Sequence, residues 1–390
     1  MNIHKQAQDL KEELITLRRD FHMNPEVGFD TFRTQIEVQK YLNSLGVEIL
    51  PSKIGVIGRI QVDGAEEYFA MRADMDALPI HEENIVPYRS TTDGAMHACG
   101  HDGHTAMLMG AVKILTEKKD QLKKSVLFIF QPAEEGPNLG GARIMLKDLK
   151  ELGLLDKISS IVAFHLSTRI PTATIAYHPG TTMSSTDEFT IRFRGTGGHS
   201  SEPHHSTDTI SCAAHFITLM ESQLSRTIDP LESAVFSVGM VNGGTAKNII
   251  APLCTVEGTI RCLNEDIRQR IRLELDQVLD AVKALRGCEV ELDFLSGLPV
   301  LSNNSDLLHS IVQLVHRDMT HLTVYEQPKG QLGAEDFAFF AREVPAAFVW
   351  IGAMNEEKGF IHGAHTPLFD FDENALPIGT ELFVRLALES

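Results

Sequence analysis

Apolar residues recur at alternating three- and four-residue spacing near the start of the chain. The series consists of Ala7, Leu10, Leu14, Leu17 and Phe21, and it ends at the sequence NPE. This spacing places the side chains along one stripe of an α-helix. We therefore predict that the chain opens with an amphipathic helix.

Short apolar runs then alternate with stretches of helical periodicity. The runs are YFAMRAD, VLFIFQP and SIVAFHL, and the helical stretches lie near TAMLMGAVKILTE and GARIMLKDL. Such alternation is typical of an α/β fold with a mostly parallel sheet and helices on both of its faces. Each run ends in polar residues. Ligands collect at the carboxyl ends of the strands in open sheets of this kind, so we expect the functional residues there.

The pattern changes from about residue 183. EFTIRFRG, SAVFSVGMV, CTVEGTIRC and CEVELDFL are predicted as strands, with helices over residues 206–226 and 265–286. The order β-α-β-β-α-β is the ferredoxin-like arrangement, and the stretch is long enough to form a small domain. The apolar residues of the helix over residues 206–226 are Ile210, Ala213, Ala214, Ile217, Met220 and Leu224, and we predict that they form its buried face.

The α/β pattern resumes after GLPV, with a helix near residues 305–317 and the strand AAFVWIGA. We therefore predict one domain built from residues 1–182 and 299–390, into which residues 183–298 are inserted as a second domain. A chain of 390 residues also exceeds the size at which a single core usually stops growing, which favours two domains.

Composition narrows the classes of partner and the compartment. The net charge of −18 argues against binding to nucleic acid or to an anionic membrane, so a small-molecule partner is expected. The N-terminal sequence MNIHKQAQDLKEEL is charged from its start, and no long apolar run follows. The sequence therefore predicts neither a secretion signal nor a membrane span. The 5 cysteines are scattered, as in a reducing compartment. A cytoplasmic location is therefore predicted.

The stretch HACGHDGH concentrates potential metal ligands in a short loop. Cys99 and His101 are two residues apart in a glycine-bounded segment, so a thiolate and an imidazole can turn toward one point. A buried cysteine can equally serve as a small apolar filler. His97 and His104 are weaker candidates, because each can simply form hydrogen bonds within the loop or the following helix.

Two adjacent glutamates, Glu134 and Glu135, directly follow the apolar strand in FQPAEEG. Adjacent side chains diverge, so one carboxylate can bind a metal while the other faces a bound water. Metal-assisted hydrolysis divides the work in this way between a ligand and a general base. A solvated acidic turn is the alternative.

Two histidines complete the candidate ligand set. His165 ends the strand IVAFHL, and His365 lies in HGAHTPLF just beyond AAFVWIGA. Either histidine alone can be a hydrogen-bonded core residue. Together with Cys99, His101 and Glu135 they are numerous enough to hold two metal ions that share a bridging water.

Eight ordered motifs are spread over nearly the whole chain. They are RADMDALP, HACGHDGHTA, FQPAEEG, GGHSSEPH, NIIAP, GTIR, GAEDF and HTPLFDFDE. In order and spacing, the chain resembles the dinuclear-metal amidohydrolase and carboxypeptidase family, which includes hippurate hydrolases, aminoacylases and plant indoleacetyl-amino-acid hydrolases. The resemblance implies a metallopeptidase-type α/β domain with an inserted lid that also forms a homodimer.

The resemblance assigns roles to the residues of the cluster. It implies that Glu134 is the general base and that the metal ligands are Cys99, His101, Glu135, His165 and His365. The wider family carries a metal-binding histidine two residues before an aspartate, whereas here Arg72 precedes Asp74. Asp74 is therefore expected to orient a ligand histidine, with a loop-capping role as the alternative.

Three further residues come from the inserted domain. The resemblance implies that His199, after a glycine-rich turn, stabilises the tetrahedral oxyanion, often in the site of the dimer partner. Asn248 and Arg261 are expected to bind the carboxylate or carbonyl of the substrate, although Arg261 can instead form a structural salt bridge.

The expected reaction is hydrolysis of the amide that joins an acyl group to an amino acid, with zinc or manganese, or else cobalt or nickel, as the two divalent ions. Glu134 takes a proton from water and passes it to the leaving amine. The alternatives are an N-acetyl-diaminopimelate deacetylase or a dipeptidase of the same family, and outside it a metal or redox sensor that uses Cys99. A sensor would not require the general base.

Overall fold

The computed structural model of the chain describes residues 2–136 and 140–390. It divides into two compact units. Unit 1 comprises Met1–Thr182, Ser302–Lys329 and Asp336–Ser390, and unit 2 comprises Met183–Leu301 and Gly330–Glu335. Unit 2 thus takes in a short segment that lies well beyond residue 298 in the chain.

Unit 1 contains the elements of an α/β domain. Its helices are α1 (Ile3–Asp9), α2 (Lys11–Met23), α3 (Phe32–Ser44), α4 (His101–Glu117), α5 (Ala142–Glu151), α8 (Ser305–Asp318), α9 (Ala338–Glu343) and α10 (Ala375–Glu389). Its strands are β1 (Glu48–Leu50), β2 (Val56–Ile60), β3 (Tyr68–Asp74), β4 (Ser125–Gln131), β5 (Ile158–Pro171), β6 (Thr174–Tyr177), β15 (Thr323–Glu326) and β16 (Ala346–Met354). Two short strands, β7 (Thr181–Met183) and β14 (Leu301–Ser302), lie where the chain passes from one unit to the other.

Within the described residues, the sheet of unit 1 has eight strands in the order β1-β2-β4-β3-β5-β16-β6-β15. The central strands β4, β3, β5 and β16 run parallel, as do β6 and β15, whereas β1, β2 and the β16–β6 pair are antiparallel. The predicted mostly parallel sheet is confirmed. The carboxyl ends of β3, β4, β5 and β16 therefore lie at one edge, as expected for a ligand-binding α/β sheet.

The N-terminal helix is interrupted once. Leu10 ends α1 and begins α2, although the apolar stripe continues through both helices. Ala7, Leu14 and Phe21 are fully buried in the core of unit 1, and Leu10 and Leu17 pack against it. The predicted stripe is thus confirmed, but it belongs to two short helices. None of the described helices combines the length and apolar character needed to cross a bilayer.

Unit 2 follows the chain order β8-α6-β10-β12-α7-β13. Its strands are β8 (Asp187–Arg194), β9 (Gly198–His199), β10 (Ala234–Gly243), β11 (Ile249–Ile250), β12 (Leu253–Cys262) and β13 (Glu289–Ser296), and its helices are α6 (Thr209–Thr227) and α7 (Glu265–Arg286). The antiparallel sheet has the order β10-β12-β8-β13, and its apolar side chains and those of both helices form one separate core. This is the β-α-β-β-α-β order expected from the sequence.

The predicted apolar face of α6 is partly wrong. Ile210 is 45% exposed and Ala214 is exposed, whereas Cys212 and Phe216 are fully buried with Met220. Residues four positions apart lie on one side of a helix, so the buried stripe runs through positions 212, 216 and 220. Ile210 instead lies in the first turn beside the capping Asp208, whose side chain accepts its N–H.

Candidate metal centre

The candidate ligands are carried to one edge of the sheet of unit 1 by strand ends and by the start of α4. Gly100, with φ of 92°, is the left-handed residue that turns the loop into this helix. Cys99 precedes that turn, and His101 is the first residue of the helix. The loop that the sequence marked as rich in ligands is thus held at a helix start.

Two groups of potential ligand atoms meet at Cys99. Its Sγ lies within 4.8 Å of ligand atoms of His101 and His165 in one group, and of Glu135 and His365 in the other. The distance from Sγ to Nε2 of His165 is 3.4 Å, and Nε2 of His365 lies 2.7 Å from Oε1 of Glu135. The structure therefore brings together all five residues predicted as metal ligands.

His101 tests whether these residues fit a metal ion. Its side chain is 1% exposed, and neither ring nitrogen has a hydrogen-bond partner among the residues that the structure describes. Carboxylate oxygens of Asp76 and Asp74 lie 3.4 Å and 3.7 Å from its ring nitrogens. Buried polar atoms normally have partners, so an imidazole left without one beside a thiol and carboxylates fits a metal ligand.

The environment of His165 leaves one ring nitrogen available. Its Nδ1–H donates to the carbonyl oxygen of Leu166 over 2.7 Å, so Nε2 keeps its lone pair on the side that faces Cys99. Burial, together with the neighbouring His104, lowers the pKa of His165 to about 3. The ring is therefore neutral, as a metal ligand must be.

Burial shifts the pKa of Cys99 in the other direction, and it again favours the neutral form. It raises the pKa of this thiol to about 12 in the absence of a cation. A cation at the site would stabilise the thiolate, since coordinated thiols lose their proton. Cys99 thus gains its charge only with the metal.

His365 is the exposed member of the set, with 51% of its side chain exposed. Its backbone has φ of 63° in the left-handed region, and its N–H donates to the carbonyl of Ala98 over 2.8 Å. A non-glycine residue in this region is strained, and such residues cluster at functional sites. The contact with Ala98 fixes His365 beside the ligand loop.

Asp74 binds a different histidine from those predicted as ligands. Nδ1–H of His104 donates to it over 2.6 Å, and the other ring nitrogen of His104 accepts the N–H of Leu166 over 2.8 Å. Both nitrogens of His104 are thus engaged, which excludes it as a ligand in this arrangement. Arg72 donates to Asp74 over 2.7 Å. Although burial opposes it, His101, His104 and Arg72 hold the pKa of Asp74 well below its usual value.

Sequence reasoning missed Asp76, which supports the two glutamates. Its carboxylate oxygens accept the backbone N–H groups of Glu134 and Glu135 over 3.0 Å each. Asp76 is 1% exposed, so this contact fixes the turn after β4 from beneath. Its position was the available signal, because Asp74 ends the buried strand β3 and Asp76 lies two residues beyond it.

Two buried ion-pair networks also escaped prediction. Arg72 donates to Gln131 and to Asp336, and Asp336 also accepts the N–H of Ala142. Next to His101, the carboxylate of Asp102 accepts from Arg18 and from His22 over 2.8 Å each. The two partners of Asp102 lie 84 and 80 residues away from it in the chain, so local sequence patterns gave no sign of this network.

The predicted residues of the inserted domain lie in unit 2. His199 is exposed and pairs with Ile249 in the β9–β11 ladder, and the carbonyl of the adjacent Asn248 accepts the N–H of Ser200 over 3.2 Å. Unit 2 thus brings His199 and Asn248 together. Arg261 donates to the carbonyl of Leu332 over 3.1 Å. Their roles stay predictions.

Residues 70–389 match the model of peptidase family M20/M25/M40. The match covers most of the chain and includes every residue of the candidate metal centre, so the chain belongs to this family. The resemblance drawn from the eight motifs is confirmed. The protein is a metal-dependent amidohydrolase.

Particular relatives are similar over nearly the whole length. An N-acetylcysteine deacetylase of Bacillus subtilis (strain 168) is 36% identical over 378 residues, 96% of this chain and 96% of the relative. IAA-amino acid hydrolase ILR1-like 2 of Arabidopsis thaliana is 35% identical over 384 residues, 96% and 84% of the two chains. The crystal structure of a dinuclear metal binding peptidase of family M20 from Bacillus subtilis superimposes with a TM-score of 0.84 at 32% identity, covering 98% of each chain.

Proposed function

We propose that the protein hydrolyses the amide bond of an N-acyl amino acid and releases a carboxylic acid and a free amino acid. The observation that carries this proposal is the meeting of two donor groups at Cys99, with Glu134 beside them. A binding or sensing protein requires ligands alone. The further carboxylate of Glu134 supplies the proton-transfer group that hydrolysis requires.

The five ligands suit two divalent cations. Cys99, His101 and His165 would hold one, and Cys99, Glu135 and His365 the other. When bound, such ions polarise the amide carbonyl and make water more acidic. Thiol, imidazole and carboxylate together accept zinc, manganese, cobalt and nickel, with zinc or manganese as the proposed occupants. Similarity to a dinuclear metal binding peptidase of family M20 supports the number of ions.

Glu134 is the proposed proton carrier. It shares a group of close donor atoms with His101 and Glu135, and its backbone is fixed by Asp76. Its carboxylate takes a proton from the attacking water and delivers it to the nitrogen of the leaving amine. Glu135, held by His365, is left to bind metal.

Two of the similar proteins support the substrate class. The names of an N-acetylcysteine deacetylase and an IAA-amino acid hydrolase both point to a substrate that is an amino acid with an acylated nitrogen. In the proposed complex, Arg261 and Asn248 bind the carboxylate or carbonyl of the substrate, and His199 stabilises the oxyanion. We further propose that the protein acts as a homodimer paired through unit 2 and works in the cytoplasm.

The test is a panel of substrates with metal-reconstituted protein. The panel contains N-acetyl, N-benzoyl and longer N-acyl amino acids, together with dipeptides and N-acetyl-diaminopimelate, and the free amine is measured. We expect release from at least one N-acyl amino acid and much slower release from the matched compound whose carboxylate is converted to an amide. Absence of cleavage throughout the panel by fully metallated protein would contradict the proposal.

A further inference from the structure

A second group of metal-ligating side chains lies in unit 1 and shares no residue with the candidate metal centre. It consists of His4, His321 and Glu381, whose ligand atoms all lie within 4.8 Å of one another. His4 belongs to α1 and Glu381 to α10, while His321 lies in the turn after α8. The group therefore joins both ends of the chain, and the first and last helices pack against each other beside it.

The spacing of the donor atoms is close to that of a tetrahedral site. Nδ1 of His4 lies 2.7 Å from Oε2 of Glu381, and Nε2 of His321 lies 4.0 Å from the same oxygen. Ligands bound to zinc at 2.0–2.2 Å in tetrahedral geometry lie roughly 3.4 Å apart. The two observed distances fall on either side of that value, so small rotations of the imidazoles would satisfy it.

Burial divides the group into one fixed and two adjustable ligands. The side chain of Glu381 is 1% exposed, whereas those of His4 and His321 are 38% and 40% exposed. The carboxylate is thus held in place, and the two rings can adjust while solvent supplies a fourth ligand. The imidazole rings already lie close together, with centroids 4.4 Å apart.

Arg385 fixes the orientation of the carboxylate. Its Nε donates to Oε1 of Glu381 over 2.8 Å, which leaves Oε2 toward the two histidines. Outer partners of this kind commonly orient metal-binding carboxylates. The positive charge of Arg385 opposes a cation, but Asp318 lies 3.7 Å from its guanidinium and offsets part of that charge.

We propose that His4, His321 and Glu381 form a peripheral site for a divalent transition-metal ion, with zinc as the probe ion. Two imidazoles and one carboxylate are a ligand set that suits zinc, and also nickel and copper. The ion links α1 to α10. These residues are far apart in the sequence and come together only in the folded chain, so binding of the ion stabilises the folded state. The docking of the seven-residue helix α1 is stabilised most directly.

The first test is metal stoichiometry. The whole protein is stripped with chelator and dialysed against buffered zinc, and the bound metal is measured by atomic emission. We expect wild type to bind one zinc ion more per chain than either His4→Ala or His321→Ala. His309→Ala is the matched control, because His309 is exposed on α8 and its ring forms a hydrogen bond with Gln313. Equal zinc content in all four proteins would overturn the proposal.

Two readouts separate this site from the catalytic one. With its catalytic centre fully loaded, His321→Ala should keep its turnover. Loss of activity along with the ion would place the lost zinc at the catalytic centre and overturn the proposal. Zinc should also slow amide hydrogen exchange in α1 by about tenfold or more in wild type, because local opening then requires release of the ion. The same slowing in His321→Ala would contradict the link between the ion and α1.

Discussion

At the scale of single residues, Cys99 has the central position. Its sulfur is shared by both donor groups, so one thiolate would contact both proposed ions. Burial disfavours its ionised form, and a bound cation would offset that cost. Cys99 therefore couples occupation of the site to its own deprotonation.

Replacing this thiol should alter the spectrum of the cobalt-substituted protein. A cobalt–thiolate bond gives a charge-transfer absorption, which we expect in wild type and not in Cys99→Ser. Metal affinity should fall by about tenfold or more, since a ligand is lost. Cys288→Ser, which removes a buried thiol of unit 2, should keep the band. A band that persists in Cys99→Ser would remove Cys99 from the site.

The residues that sequence patterns identified are those whose chemistry shows in local context. Cys99 and His101 lie in a short loop between glycines, and Glu134 and Glu135 directly follow a buried strand. Asp76 gave only a weak signal, because its contact with the glutamates forms between separate strand ends. Contacts of that kind depend on sheet order, which no single segment encodes.

At the scale of elements, periodicity predicted whether a segment is a helix or a strand better than it predicted which side of the element is buried. The strands and helices that the sequence predicted in the two units lie close to their expected positions, because burial imposes a period on each element. The predicted face of α6 includes the exposed Ile210 and Ala214, whereas the core takes Cys212 and Phe216. The break at Leu10 also left no mark in the apolar stripe, since the stripe runs on through both helices.

Substitutions on the two sides of α6 should differ in their effect on the stability of unit 2. Phe216→Ala empties a fully buried position in the core of unit 2, so we expect a loss of about 3–5 kcal/mol in its free energy of unfolding. Ile210→Ala on the same helix should cost under about 1 kcal/mol, because that residue is 45% exposed. Urea unfolding followed by circular dichroism measures both. Equal losses would contradict the assigned face.

At the scale of the whole molecule, the predicted site residues are divided between two units. The metal centre belongs to unit 1, while His199, Asn248 and Arg261 belong to unit 2. Unit 2 contributes no proposed metal ligand of its own. If His199 acts in the reaction, the two units must cooperate during turnover.

His199→Ala should therefore lower kcat by roughly 10² to 10³ while metal content stays unchanged, because the variant loses an oxyanion donor and no ligand. Mixing it with Glu134→Gln protein tests whether the histidine comes from the partner. Hybrid dimers should then regain activity, since one of their two sites holds both intact groups. Verified hybrid dimers without activity would assign His199 to its own subunit or to no catalytic role.

The proposed mechanism is tested by comparing Glu134→Gln with Glu135→Gln, for both metal content and turnover. Glu134→Gln should keep its full complement of metal and lose turnover by about 10²-fold or more, because the proton carrier is gone. Glu135→Gln should lose bound metal, because Glu135 lies against His365 and Cys99 and is proposed as a ligand. Substantial turnover by fully metallated Glu134→Gln would contradict the proposed division of roles between the two adjacent carboxylates.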